Sequence, residues 1–269
     1  MSQLILLESR DNIATLALNR PERHNSLVPE FLREMLNAVA QVGAQAEARA
    51  LVLQANGRSF STGGDVRAFY DHGDNIEPYA RDVVGLLNQV IVALVRLPVP
   101  IIAAVHGIVT GGSLGLVLAS DIVLVAPEAS ITPFYSVVGF SPDGGWTAML
   151  PLLIGQKRAS EILMLNRTIL AEQAVQWGLA NQIIAADRIR AEARAVAESI
   201  AQKKWGSIQR TKRLLWRDAD ALAARLEEER ARFCEQIVTA EAHDGMEAFL
   251  NRVERHPASQ RNPVSGQTR

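Results

Sequence analysis

The chain has 269 residues, 48% of them hydrophobic and 21% charged, a balance that can fill a sizeable globular core. A net charge of −1 leaves no basic excess for nucleic acid. The single cysteine, Cys234, excludes an intrachain disulfide and a cysteine-based metal cluster, and fits a reducing compartment.

Residues 1–12 show no basic flank before a long apolar core and no small-residue cleavage site, so no signal peptide is expected. No apolar run approaches the ~18 residues of a membrane span. The chain therefore reads as cytoplasmic, with no membrane partner. Leu4–Leu7 and Ile13–Leu18, around Arg10-Asp11-Asn12, predict a hairpin. A polar loop follows through Pro21, His24, Asn25 and Ser26. Pro29 to Gln45 carries Phe31, Leu32, Met35, Leu36, Val39 and Val42 at helical spacing. Ala50–Ala55 predicts a buried strand. It leads into Ser59–Asp65, a loop with Gly63 and Gly64, where local chemistry makes Asp65 a helix cap. Arg81 to Leu97 predicts a long amphipathic helix.

The next stretch is chemically suggestive. Ile101–His106 reads as a buried strand, Gly111-Gly112-Ser113 as a turn, and Leu114–Ala119 as a short buried helix. Paired glycines at a helix start bare backbone N–H groups, which suit an oxygen that becomes anionic during a reaction. The stretch is neither a P-loop nor a dinucleotide fingerprint, but it matches G-x-S-x-G with Ser113 as nucleophile. That hydrolase reading needs a histidine downstream, and only His243, in a charged helical stretch, and His256 are available. Ile122–Val125 predicts another strand, 134–145 a loop holding Asp143, and Trp146–Ile154 and Lys157–Leu165 two helices. On local chemistry Asp143 caps the helix at Trp146. Ala171–Trp177 predicts a helix stopped by Gly178, and Asn181–Ile184 a last strand. Only helical patterns follow Asp187, with a frayed tail from about Pro257. The organisation expected is an α/β core over 1–186 with a helical region over 187–269. No His, Asp or Glu pair has metal-ligand spacing in an attractive context. The basic cluster from Lys203 to Arg213 is balanced by Glu227-Glu228-Glu229, so it reads as a solvated face.

Taken together, the loops resemble the crotonase (enoyl-CoA hydratase/isomerase) superfamily. Leu18–Leu27 is similar to its N-R-P-x-x-x-N-A-L loop, Phe60–Val66 to F-x-A-G-x-D, and Ala103–Asp121 to its A-x-x-G…G-G-G…D segment. Ala171–Ala180 and Ala248–Arg252 match two later passages. The resemblance implies a spiral core of stacked β-β-α turns, with C-terminal helices that build a homo-trimer or hexamer. It implies an acyl-CoA thioester substrate, coenzyme A being part of that substrate and no separate cofactor being needed. Gly64 and Gly112 would donate the two N–H groups of an oxyanion hole. The substrate would be lined by His24 and Ser26 from the first loop, and by Thr62, Asp65 and Val66 from the second. Gly111 of the third and Tyr135 and Pro142 of the next would complete the site. Phe249 and Arg252 would lie near the CoA or a neighbouring subunit.

The departures from the family pattern bear on the chemistry. Family hydratases use two glutamates, and Gly115 and Tyr135 occupy those positions here. Asp143 stands where family isomerases keep their single acid, which suffices to take a proton at one carbon and return it at another. An enoyl-CoA isomerase with Asp143 as acid/base is expected. Alternatives are a hydratase, a 4-chlorobenzoyl-CoA dehalogenase-like hydrolase, or a catalytically silent CoA-thioester binder. The dehalogenase branch pairs its aspartate with a histidine and a tryptophan, whereas Asn88 and Tyr135 match those positions. Phe69, Tyr70, Tyr79 and Asn88 are expected to line the acyl pocket.

Overall fold

A computed structural model describes residues 3–255; the tail from Pro257, like His256, lies outside the described residues. The predicted hairpin forms from β1 (Ile5–Arg10) and β2 (Ile13–Leu18), antiparallel with Ile5 opposite Leu18. Asp11 and Asn12 turn it in the left-handed region, φ 53° and 64°, which their short polar side chains tolerate. β1 runs three residues past its apolar start, because an edge strand has one face in water.

After α1 (Pro29–Ala44) the chain winds into stacked turns. Each sends one strand to a main sheet, bends, adds a short segment to a second wall, and returns. β3 (Ala50–Ala55) is followed by α2 (Val66–Asp71) and α3 (Ile76–Arg96). β4 (Ile101–Val105) bends at Gly107 into β5 (Ile108–Thr110), and α4 (Leu114–Leu118) follows a three-ten turn at Gly111–Ser113. Gly107 has φ 59°, and a Cβ there would run into Arg58 O, so only glycine makes this bend. β6 (Ile122–Val125) passes in the same way to β7 (Ser130–Thr132) and α5 (Tyr135–Val138). Then come α6 (Leu150–Ile154), α7 (Gln156–Leu165), β8 (Ile169–Leu170), α8 (Ala171–Gln176) and β9 (Gln182–Ile183).

The main sheet has the order β1-β2-β3-β4-β6-β9, parallel beyond the hairpin, and the second is β5-β7-β8. Residue Ser61 bridges Val109 and extends the second wall. The sequence reading missed β5 and β7, since three residues carry too little periodicity to register. It also started α3 five residues late, at Arg81, although Pro78 sits in the first turn, where proline is tolerated. Residues 146–149 are turn rather than helix, because Gly144 and Gly145 enter with φ 63° and 88°. Trp146 spends its Nε1–H on Gly111 O at 2.8 Å.

Four helices end the described residues: α9 (Ile189–Ala201), α10 (Trp205–Leu215), α11 (Ala219–Ile237) and α12 (Ala240–Arg255). α9 covers one face of the main sheet, where Ile189, Ala193 and Ala197 meet Ile102, Ala104 and Leu124. The alternate residues Ile101, Ala103 and Val105 point into the larger core. Two covered faces explain why β4 is apolar throughout. Residues 73–96 are long and apolar enough to cross a membrane, a property that run length alone did not reveal, and this helix is mostly buried against α1 and α11.

α10 is fastened by buried Lys212, whose Nζ donates to Asp121 Oδ2 at 2.8 Å and Val99 O at 3.0 Å. Asp121 also accepts from Trp216 Nε1 and Ile101 N. Lys212→Met should cost about 3 kcal/mol in urea unfolding, because it strands a partly buried carboxylate. A loss within about 0.5 kcal/mol, the size of an ordinary surface change, would mean that the pair does not hold α10 down.

Candidate active site

Asn25 ties the first glycine-bearing region together. With His24 it lies in the left-handed region, both at φ 53°. Its buried Nδ2 donates to Asn56 O, Ser59 O and Phe60 O at 2.9–3.1 Å, and its Oδ1 accepts from Arg20 N. Leu27 N donates to Gly63 O and Asp65 N to Leu27 O, so the first two loops run side by side. Gly63, at φ 71°, presses on the third loop: a Cβ there would stand 2.5 Å from Thr110 O. These contacts leave the Gly64 N–H without a hydrogen-bond partner among the described residues. Gly112 is the second residue of the three-ten turn, where the N–H has no intrahelical acceptor. Both glycines line one cleft of about 860 Å³.

Asp143 lies in that cleft, 6% exposed. It is not a side-chain cap: Tyr135 Oη donates to its Oδ1 at 2.5 Å and also reaches its carbonyl at 3.1 Å. A Cβ on Gly112 would stand 2.9 and 3.0 Å from the two carboxylate oxygens, so the acid lies directly over that glycine. Burial pushes the Asp143 carboxyl up to about 7; the Tyr135 hydrogen bond opposes this and the Glu229 charge adds to it. Burial and the neighbouring Asp143 hold the Tyr135 phenol well above its ordinary range, so it stays a donor. At Gly115 a Cβ would run into Ile91 Cδ1 and stand 2.6 Å from Gly144 O. No glutamate fits there.

The other predicted residues divide. His24, Ser26, Thr62, Val66 and Gly111 line the cleft. His24 accepts from Arg58 at 2.8 Å, and burial with the Arg58 charge lowers its pKa. Asp65 also lines the cleft, but its carboxylate caps α2 through Ala68 N and pairs with Arg20 and Arg23 at 3.4 and 3.7 Å. The cap reading was right. Pro142 is not among the residues lining the cleft. Of the four residues assigned to the acyl pocket only Phe69 lines it, joined by Phe140 and Phe233, with ring centroids 5.2–5.8 Å apart. Tyr79 stacks on His72, and Asn88 donates to Leu226 O and Glu227. Phe249 and Arg252 reach the cleft from α12.

Ser113 is fully buried, and its Oγ is engaged with Thr110 O at 2.7 Å and Ser61 O at 3.1 Å. His243 is exposed against Tyr70, and His256 lies outside the described residues. The nucleophile-elbow reading has no geometry to support it. Among the described residues no cluster of His, Cys, Asp or Glu is placed to hold a metal ion. The solvated-face reading fails at Lys212 and Glu229, which are both buried; Glu229 on α11 escaped sequence reasoning because nothing local pairs it with a loop so far upstream.

Residues 8–259 match the family model described as enoyl-CoA hydratase/isomerase. A probable enoyl-CoA hydratase EchA12 of Mycobacterium tuberculosis H37Rv is 36% identical, over 81% of this chain and 79% of its own. The 1,2-epoxyphenylacetyl-CoA isomerase of Escherichia coli K12 is 32% identical, over 75% and 77%. The 4-chlorobenzoyl coenzyme A dehalogenase-2 of an Arthrobacter species is 30% identical, over 73% and 72%. The solved enoyl-CoA hydratase of Bacillus halodurans shares the fold, with a TM-score of 0.86 at 23% identity over 91% of this chain and 99% of that one. Matched across nearly its whole length, the chain belongs to the enoyl-CoA hydratase/isomerase family of the crotonase superfamily.

Proposed function

We propose that this enzyme is an acyl-CoA isomerase that shifts a double bond through a thioester enolate. The observation that carries this reading is that Asp143 is, among the described residues, the single acid in the interior of the cleft, over Gly112, with the hydratase position at Gly115 closed by Ile91. Among the described residues the other two carboxylates lining the cleft are Glu22, which is exposed, and Asp65, which is tied to α2 and two arginines. In the reaction, the Asp143 carboxylate takes a proton from C2 of a 3-enoyl thioester. The electron pair moves onto the thioester oxygen, which Gly64 N–H and Gly112 N–H hold. Asp143 then returns the proton at C4, leaving the double bond between C2 and C3. A carboxyl titrating near neutrality suits both halves of that transfer. Isomerisation of a 3-enoyl-CoA in D2O, alongside hydration of crotonyl-CoA, tests the reading. Deuterium should enter at C2 and C4 while hydration stays negligible. Efficient hydration would mean that some other group holds a water.

The same reading includes assembly. Leu152, Met164, Leu214 and Leu215 are 70–77% exposed on a single chain. Leu152 and Leu215 line one surface depression, and large apolar side chains left this exposed are the kind that further copies cover. Sedimentation should give a trimer or hexamer at micromolar concentration, and a stable monomer would refute it.

A further inference from the structure

The buried carboxylates among the described residues are Asp65, Asp143 and Glu229, and the proposed reaction leaves Glu229 unused. It projects from α11 and is 5% exposed. Its carboxylate accepts four hydrogen bonds: Oε2 from Gly145 N at 2.8 Å, and Oε1 from Thr147 N at 2.7 Å, Thr147 Oγ1 at 2.6 Å and Ala148 N at 2.9 Å. None of these donors is a cation: all four belong to residues 145–148. Isolating a buried charge is costly, and here four donors concentrated on one short loop offset that cost. The loop begins two residues after Asp143. Gly144 rests on the third glycine loop so closely that a Cβ would stand 2.5 Å from Gly112 Cα and Gly112 O.

We propose that Glu229 is a positioning residue, which holds residues 145–148 against the Gly111–Ser113 turn and so keeps the Asp143 carboxylate over Gly112. This rests on Asp143 being the acid of the reaction. It makes α11, from the far end of the chain, a working part of the centre. A shift of the loop by a fraction of an ångström would carry the acid off the reacting carbons, and such misplacement is expensive in rate. The Glu229 charge has a second effect, since it favours the protonated form of Asp143. Tyr135 from α5 donates to Asp143, Glu229 from α11 acts on it through its charge, and apolar Leu87 from α3 shares the space over Gly112, while Glu22, Arg23, His24, Asp65, Arg67 and Arg252 line the same cleft.

The test uses the full chain labelled with 13C at the aspartate side-chain carboxyls, with the Asp143 resonance identified by its loss in Asp143→Asn. In Glu229→Gln the Asp143 titration midpoint should fall by about one pH unit, because a like charge has gone. The kcat should fall about tenfold or more with KM within about twofold, because the loop is held less tightly. A folded Glu229→Gln with the wild-type midpoint and kcat overturns the proposal. Should Glu229→Gln fail to fold, Thr147→Val removes one donor and keeps the charge. It should lower kcat severalfold and leave the midpoint in place, and an unchanged kcat overturns the clamp. Asp143→Asn separates the two layers. If that variant is as active as wild type, the isomerase reading itself fails; if it is inactive while Glu229→Gln behaves as wild type, only the positioning role fails.

Discussion

Asp143→Asn should lose about 10²–10⁴ in the rate of double-bond migration while still binding the CoA thioester. Asparagine keeps the size and can still accept from Tyr135, so the cleft is preserved and only the ability to take up and return a proton is lost. The wild-type rate at low substrate should rise through pH about 7, as the buried carboxyl ionises. Stability should move the other way. The folded-state pKa of Asp143 is raised above the ordinary carboxyl value, so stability present in acid is lost as pH rises through about 7. Asp143→Asn removes that loss and should melt higher than wild type above neutrality, as expected where a site holds a charge for function. If the asparagine variant exchanges deuterium at C2 as fast as wild type, the acid lies elsewhere.

Gly112→Ala should cost on the order of 10² in kcat with little change in KM. The backbone at Gly112 is not left-handed, so alanine adds no conformational strain, and it keeps the N–H donor. The added methyl instead meets Leu87 Cδ2 at 2.6 Å and the Asp143 oxygens at 2.9 and 3.0 Å. Either the apolar wall or the acid must move. A double-mutant cycle identifies which, because two residues acting through one contact are not additive. Placed on Asp143→Asn, Gly112→Ala should cost little more, since the acid it displaces is already gone. A full additional loss of 10² would point to the oxyanion donor rather than the acid.

Much of this was legible in the sequence. The hairpin, α1, β3 and the strand–turn–helix at Ile101–Leu118 followed from periodicity and glycine placement, because local chemistry is enough to produce them. The loop motifs were sufficient for the family, and the missing hydratase glutamates singled out Asp143. The capping role of Asp65 was also readable, since an aspartate before a helix has little else to do.

The rest depended on which distant segments meet. Asp143 was locally a cap, and only the approach of Tyr135 and Gly112 makes it a buried acid. Tyr135 read as a lost glutamate, whereas in the fold its hydroxyl is the acid's hydrogen-bond partner. Gly115 could have been a simple substitution, yet Ile91 and Gly144 leave no volume for any side chain. Tyr70, Tyr79 and Asn88 share the variable helical region with Phe69, but helix orientation turns them away from the cleft and brings Phe233 from α11 instead. Glu229 read only as part of a solvated charged face. A carboxylate among charged neighbours on an amphipathic helix looks solvated until three backbone N–H groups from another part of the chain are seen to converge on it. Sequence thus determined the family, most of the longer elements and the candidate acid, because these rest on local pattern. Tertiary structure decided the acid's environment and what holds it, because burial and hydrogen bonding arise only where segments far apart in the chain are packed together.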